Sequence, residues 1–127
     1  MTTGFVVFAH GSRIEPANQA VRDTAARLAR AGGFENVEAA FLELGAPDLN
    51  GAVTRLAERG VRRIVVLPYF LTLGLHLERD LPRLIETAAK AHPELEIRMT
   101  PPLDGHEALV TVLLDRARDA SQDQNSR

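Results

Sequence analysis

The sequence contains no cysteine and no tryptophan, and only one of its 127 residues is tyrosine. Without thiols, neither a disulfide framework nor a thiolate metal site can form. The net charge is −2, and no basic cluster or aromatic platform is present, so we expect no nucleic-acid partner. No apolar run approaches the ~20 residues that span a bilayer, and the amino terminus lacks a signal-peptide pattern. We therefore expect a cytoplasmic protein without a membrane partner.

What remains is the composition of an ordinary globular domain, with 45% hydrophobic and 25% charged residues. Short apolar segments predict four strands, at 4–9, 37–42, 63–68 and, more weakly, 95–100. Amphipathic segments that predict helices follow each of them. This alternation favours an α/β fold, a four-stranded parallel sheet flanked by helices on both faces. We expect a single domain over 1–119 and a disordered tail over 120–127, which has no apolar anchor.

Three side chains that can bind metal follow the first three predicted strands. His10, Glu43 and His76 are separated by equal steps of 33 residues. One strand and one helix with their turns occupy ~30 residues, so equal steps place all three at the edge where open α/β sheets bind ligands. Two imidazoles and a carboxylate suit a divalent transition metal and leave coordination positions open. Asp80, one helical turn after His76, would share its face and support that imidazole.

Each of these residues also has an ordinary structural explanation. His10 could belong only to a strand-to-helix turn, Glu43 could be a solvated loop residue, and His76 could lie near a helix start. The hypothesis of a shared metal site therefore depends on their joint placement. His106, at the start of the predicted fourth helix, is explained by structure, and a role in lining a pocket stays open.

The segment 68–77 is unusually apolar for a loop at the mouth of a cleft. Six of its ten residues are large and apolar: Tyr69, Phe70, Leu71, Leu73, Leu75 and Leu77. Exposed loops with so many apolar side chains are usually buried against a ligand or another protein surface. Either a subunit interface or a flat apolar ligand would provide that cover.

These motifs resemble a known family. HGSR at 10–13, FLEL at 41–44 and PYFLxxGxHxxxDxP at 68–82 are similar to motifs of the small tetrapyrrole metal chelatases, the sirohydrochlorin cobalto- and ferrochelatases of the CbiX and SirB type. The resemblance extends through the fourth helix and implies a chelatase-like, flavodoxin-related fold. It also implies insertion of Co²⁺, Fe²⁺ or Ni²⁺ into sirohydrochlorin in cobalamin- or sirohaem-type tetrapyrrole biosynthesis, without an organic cofactor.

The resemblance also implies roles for individual residues. His10 and His76 would hold the metal and act in catalysis, and Glu43 would occupy an acidic position farther from the metal. Residues expected to contact the tetrapyrrole are Ser12 and Arg13, which suit its carboxylates, and Phe70, Leu71, Gly74 and Leu75, which suit its macrocycle. Longer relatives carry two such domains in one polypeptide, so this chain is expected to form a homodimer.

Two other functions deserve comparison with a chelatase. A non-catalytic metal-binding or metal-delivery protein could use the same three ligands, although the apolar loop favours a large flat substrate beside the metal. A phosphoryl-transfer enzyme with His10 as nucleophile would need an arginine directly before that histidine. Ala9 stands there instead.

Overall fold

Four strands alternate with four helices along the chain, in a computed structural model that describes residues 2–125. The strands are β1 (Thr3–Ala9), β2 (Val37–Phe41), β3 (Arg63–Pro68) and β4 (Glu96–Met99). The helices are α1 (Glu15–Gly32), α2 (Leu49–Glu58), α3 (Leu75–Ala91) and α4 (Ala108–Asn125).

The four strands form one parallel sheet in the order β2-β1-β3-β4. Because β1 is central and every strand runs the same way, the segments that follow β1, β2 and β3 emerge side by side at one edge. The predicted fold class is confirmed. β2 and β4 are shorter than predicted, but Leu42 beyond β2 still donates a backbone hydrogen bond to the Ala9 carbonyl over 2.9 Å.

The strands are apolar on both faces because helices cover both faces. On one face, Leu56 of α2 and Leu81 of α3 are fully buried against strand residues that include Val6. On the other, Ala25 of α1 packs against a cluster that includes Val7. Successive residues of β1 thus point to opposite sides, and burial of each large aliphatic side chain stabilises the fold by roughly 1.5–3 kcal/mol.

Local chemistry sets the ends of the helices. Pro16 lies in the first turn of α1, and the left-handed Gly33 (φ 65°) ends that helix. Asp48 caps α2 by accepting a 2.8 Å hydrogen bond from the backbone N–H of Gly51. These caps fix where the loops between strands and helices begin.

Helix α4 lies largely uncovered. From Ala108 to Gln122 every side chain but that of Leu109 is exposed, including the apolar Val110, Leu113 and Leu114. The predicted start of a disordered tail at residue 120 falls within this helix, and the disorder itself stays a prediction; residues 126 and 127 lie outside the described part. Within that part, no helix is both long and apolar enough to cross a membrane.

Candidate functional site

His10 and Glu43 lie side by side where β1 and β2 end. Pairing of the two strands continues beyond them, because the Glu43 N–H donates to the His10 carbonyl over 3.1 Å. The imidazole Nε2 of His10 lies 3.6 Å from Oε1 of Glu43, within ion-pair range and slightly beyond a hydrogen bond. The two side chains are 54% and 57% exposed. The edge therefore presents an open imidazole–carboxylate pair.

Gly11 allows the two loops to approach this closely. Its φ of +94° lies in the region that favours glycine, and a Cβ at this position would lie only 1.7 Å from the Glu43 carbonyl oxygen. Any side chain here would push the loop after β1 away from the loop after β2. Gly11 thus forms the turn after β1 and, because it has no side chain, also allows His10 to lie beside Glu43.

His76 lies on the first turn of α3, with its side chain exposed. Over residues 2–125, no group of three or more His, Asp or Glu side chains is close enough to hold a metal ion. The structure thus brings His10 and Glu43 together and leaves His76 outside their immediate contact. Asp80 is also exposed, one turn further along α3. The three-ligand metal site and the supporting role of Asp80 stay predictions.

Ser12 and Arg13 form the start of the loop after β1. The Ser12 hydroxyl oxygen accepts a 3.0 Å hydrogen bond from the Ile14 N–H, which leaves its own O–H free to donate. The Arg13 side chain is exposed. Both residues therefore remain available to a ligand with carboxylates.

Exposed apolar side chains follow the ends of the same three strands. Four of them lie in the loops after β1, β2 and β3, and the fifth is the first residue of α3. We call this set the apolar rim; its members are Ile14 (66% exposed), Leu44 (49%), Tyr69 (41%), Leu71 (64%) and Leu75 (81%). The sequence pattern predicts only the part of the rim that follows β3. A rim of this kind suits a large flat ligand laid over the edge.

Two residues predicted to contact substrate differ in their surroundings. Phe70 is only partly exposed and packs edge-on against the Phe8 ring, with 6.3 Å between centroids, so much of its surface serves the core. Gly74 precedes α3 as its N-cap, and no heavy atom lies within 4 Å of the position its Cβ would take. The space beside Gly74 is open to a ligand.

The loop after β3 is held by the loop after β4. The N–H groups of Leu103 and Asp104 donate to the carbonyls of Phe70 and Leu71 over 3.0 and 2.7 Å. His106, in the same loop, accepts a 3.0 Å hydrogen bond through Nδ1 from the Ala108 N–H at the start of α4. That bond gives His106 a structural role.

A buried residue that sequence patterns do not single out ties the first two loops together. Asn18, in the second turn of α1, is 1% exposed. Its amide oxygen accepts a 2.9 Å bond from the Ser12 N–H, and its amide nitrogen donates to the carbonyls of Ser12 (2.8 Å) and Leu44 (3.0 Å). Asparagine is an ordinary helix-start residue, so only three-dimensional packing identifies it.

An ion pair on α1 joins this arrangement. The Arg22 guanidinium donates to Glu15 over 2.6 Å and also to the Ala46 carbonyl in the loop after β2. This bond from Arg22 and, after it, the Asn18 amide hold the pKa of the Glu15 carboxyl below its ordinary value. The start of α1 is therefore fastened to both loops of the site.

Two grooves on the surface do not include the predicted ligands. A groove of about 370 Å³ between α1 and β2 is lined by residues such as Arg22, Val37 and Pro47, and His10, Glu43 and His76 do not line it. A second groove of about 230 Å³ lies between α2 and α3 and does not include them either. The His10 and Glu43 side chains, each more than half exposed, thus lie outside both grooves.

The chain is an open parallel α/β protein, a class in which ligands bind beyond the carboxyl ends of the strands, and the His10–Glu43 pair lies at that edge. The match of the CbiX family model to residues 4–120 makes the assignment specific, and the chain belongs to the CbiX family. The family assignment predicted from the sequence motifs is confirmed.

Relatives of the chain are named as sirohydrochlorin cobaltochelatases and ferrochelatases. The chain is 42% identical over 80 residues to a sirohydrochlorin cobaltochelatase of Methanopyrus kandleri, which covers 63% of this chain and 56% of that relative. It is 33% identical to the chloroplastic sirohydrochlorin ferrochelatase of Arabidopsis thaliana, over 89% of this chain and 50% of that relative. The chain thus spans about half the length of these two relatives. Other cobaltochelatases match over 91% to 95% of their own length.

A solved structure has the same fold. The sirohydrochlorin chelatase SirB of Bacillus subtilis subspecies spizizenii, in complex with cobalt, superposes with a TM-score of 0.86 at 26% identity. The match covers 94% of this chain and 51% of the SirB chain. One copy of the present fold therefore corresponds to about half of that protein.

Proposed function

We propose that this protein inserts a divalent metal ion into sirohydrochlorin, with the metal as a substrate and no organic cofactor. The observation that carries the proposal is the exposed His10–Glu43 pair within the apolar rim. The pair can bind a metal and accept protons, and the rim can hold a flat macrocycle beside it. Membership of the CbiX family, with its named chelatases, supports the same reaction.

Metallation must remove two pyrrole N–H protons and deliver a partly desolvated cation to one face of the macrocycle. A neutral imidazole is both a metal ligand and a base that titrates near neutral pH. In the proposal, His10 and His76 hold the metal. As the metal passes to the macrocycle, His10 takes up the two pyrrole protons in turn, giving up the first through Glu43 before it takes up the second. Glu43, 3.6 Å from His10, neutralises charge and passes protons to solvent, to which it is open.

The apolar rim and the loop after β1 would orient the tetrapyrrole. Leu71 and Leu75 are the most exposed apolar side chains next to His76 and would lie against the macrocycle. The open space at Gly74 would admit the ring close to the backbone. Ser12 and Arg13 would bind the substrate's carboxylates through a hydroxyl donor and a guanidinium. Phe70 would contribute through the part of its ring that is not packed on Phe8.

A homodimer belongs to the same proposal. One chain corresponds to about half of the SirB chain, so a second copy would supply the other half of a comparable protein. The uncovered apolar face of α4, with Val110 (67% exposed) and Leu113 (69%), provides a surface that such a copy would bury.

A location in the cytoplasm is proposed on the composition alone. Co²⁺, Fe²⁺ and Ni²⁺ all suit the donor set, so the physiological metal is left open.

The experiment is to incubate the protein with sirohydrochlorin and each metal separately, following the absorption spectrum of the macrocycle. We expect an initial rate above that of the uncatalysed reaction for at least one metal. Dependence of the rate on protein concentration would identify the metal that is used.

A metal-delivery protein is the second candidate, because the described side chains include an imidazole–carboxylate pair without a complete ligand set. Such a protein would bind the metal and leave the rate of sirohydrochlorin metallation at its uncatalysed value. Measuring Co²⁺ binding in the same samples separates this outcome from a protein that binds no metal.

A further inference from the structure

Among the buried residues that the structure describes, Asn18 is the one with a polar side chain. A buried amide destabilises a fold unless its hydrogen-bonding groups are satisfied. The amide of Asn18 is satisfied by the backbones of two loops, and neither of these loops belongs to its own helix.

The bonds of Asn18 require both halves of an amide. The Ser12 N–H needs an acceptor, whereas the Ser12 and Leu44 carbonyls need a donor. A carboxylate at this position would accept from Ser12 but turn its second oxygen toward two carbonyls. The nearby Glu15 carboxylate, 3.2 Å from the amide nitrogen, would repel it further. An alanine would leave all three backbone groups without this partner.

These contacts lie next to the two groups of the proposed centre. Ser12 follows His10 by two residues, and Leu44 follows Glu43 directly. Both His10 and Glu43 are more than half exposed, so side-chain packing does not fix their separation. Their backbones do, and the backbone of Leu44 adopts a left-handed φ of 58° that a leucine takes up only under restraint. The bond from Asn18 to the Leu44 carbonyl is one such restraint.

We infer that Asn18 is a positioning residue, which clamps the loop after β1 to the loop after β2 and so holds His10 at its distance from Glu43. The consequence for metal handling rests on the proposed function, whereas the clamp itself does not. Residues that orient metal ligands typically change metal affinity or activity by 10–100-fold when they are replaced. Replacing Asn18 is expected to lower Co²⁺ affinity by about tenfold or more.

The test compares Asn18→Ala with Val53→Ala, a fully buried α2 variant that weakens the fold through lost packing and removes no hydrogen bond to either loop. Amide hydrogen exchange is measured by NMR at temperatures equally far below each Tm. In Asn18→Ala the Glu43 amide, which donates to the His10 carbonyl, should exchange about tenfold faster than in Val53→Ala. Equal protection in the two variants overturns the inference. Asn18→Asp, of nearly the same shape, replaces Asn18→Ala if that variant does not fold.

Co²⁺ titration of the same samples, monitored by the visible absorption of the ion, adds the functional readout. Faster Glu43 exchange together with weaker Co²⁺ binding in Asn18→Ala alone supports the positioning role. If wild-type protein binds no Co²⁺ while Glu43 exchange still accelerates, the clamp stands and the proposed function fails. Equal loss of Co²⁺ binding in Val53→Ala would mean that Asn18 acts only through stability, which contradicts the inference.

Discussion

Replacing Gly11 with alanine tests whether close approach of two loops creates the site. Gly11 has a φ of +94°, and Gly60, far from the site, has a φ of +89°. Alanine at either position bears a similar conformational cost, about 1–2 kcal/mol. Only at residue 11 does the new Cβ meet backbone, because it would lie 1.7 Å from the Glu43 carbonyl oxygen, whereas nothing lies within 4 Å at residue 60.

Real Cβ contacts are longer than 3.0 Å, so in Gly11→Ala the two loops must separate. The 3.1 Å bond from the Glu43 N–H to the His10 carbonyl would then be lost, at a further cost of about 1 kcal/mol. A displacement of ~1 Å in a catalytic group can lower a rate by about 10²-fold. We therefore expect Gly11→Ala to be less stable than Gly60→Ala and to lose nearly all metal insertion.

Urea unfolding measures the two free energies of unfolding, and the initial rate of Co²⁺ insertion into sirohydrochlorin measures activity at a temperature where both variants are folded. Gly60→Ala should keep the wild-type rate, since it alters neither loop of the site. If Gly11→Ala matched Gly60→Ala in both stability and rate, the close approach of the loops would not matter and the reasoning would be wrong.

Three further predictions follow from the described side chains. Gly74→Ala should change the free energy of unfolding by less than about 1 kcal/mol, since its Cβ meets no neighbour, yet raise KM for sirohydrochlorin; an unchanged KM would place the macrocycle elsewhere. Because the pKa of Glu15 is lowered in the folded protein, the ionised carboxylate stabilises the fold at pH values above its ordinary pKa of 4.5. This stability is lost as the pH falls through the lowered pKa, so Glu15→Gln should flatten the decline of Tm between about pH 5 and 3. In light scattering, Leu113→Lys should have the mass of one chain, whereas the control Asp115→Lys, also exposed on α4, should have the mass of two chains. Equal masses for the two variants would show that α4 is not part of the dimer interface.

Sequence periodicity predicts the fold well because each element carries its own signal. Buried strands appear as short apolar runs, and the ends of α1 and α2 are marked by Pro16, Gly33 and Asp48. The predicted β2 extends one residue beyond the strand and the predicted β4 one residue at each end, because the apolar Leu42 and Leu95 directly adjoin these strands. Exposure of α4 was not predictable, because an amphipathic stripe does not reveal whether a partner covers it.

For the site, equal spacing of ligands along the chain predicts a shared edge and no more. His10 and Glu43 lie together because they come just after the ends of two paired strands. His76 follows a loop of six residues, whose path depends on backbone bonds to Leu103 and Asp104 that no local pattern encodes. Contacts made by Gly11 and Asn18 across loops likewise depend on tertiary structure.

The central claim is that the histidines at this edge carry out metal insertion. Its most direct test is the initial rate of Co²⁺ insertion into sirohydrochlorin by His10→Ala and His76→Ala, with His92→Ala as control. His92 ends α3 and bonds to Thr54 of α2, away from the site. The account predicts that His92→Ala keeps the wild-type rate, while the other two variants stay folded and fall to the uncatalysed rate. Full activity in either His10→Ala or His76→Ala would contradict it.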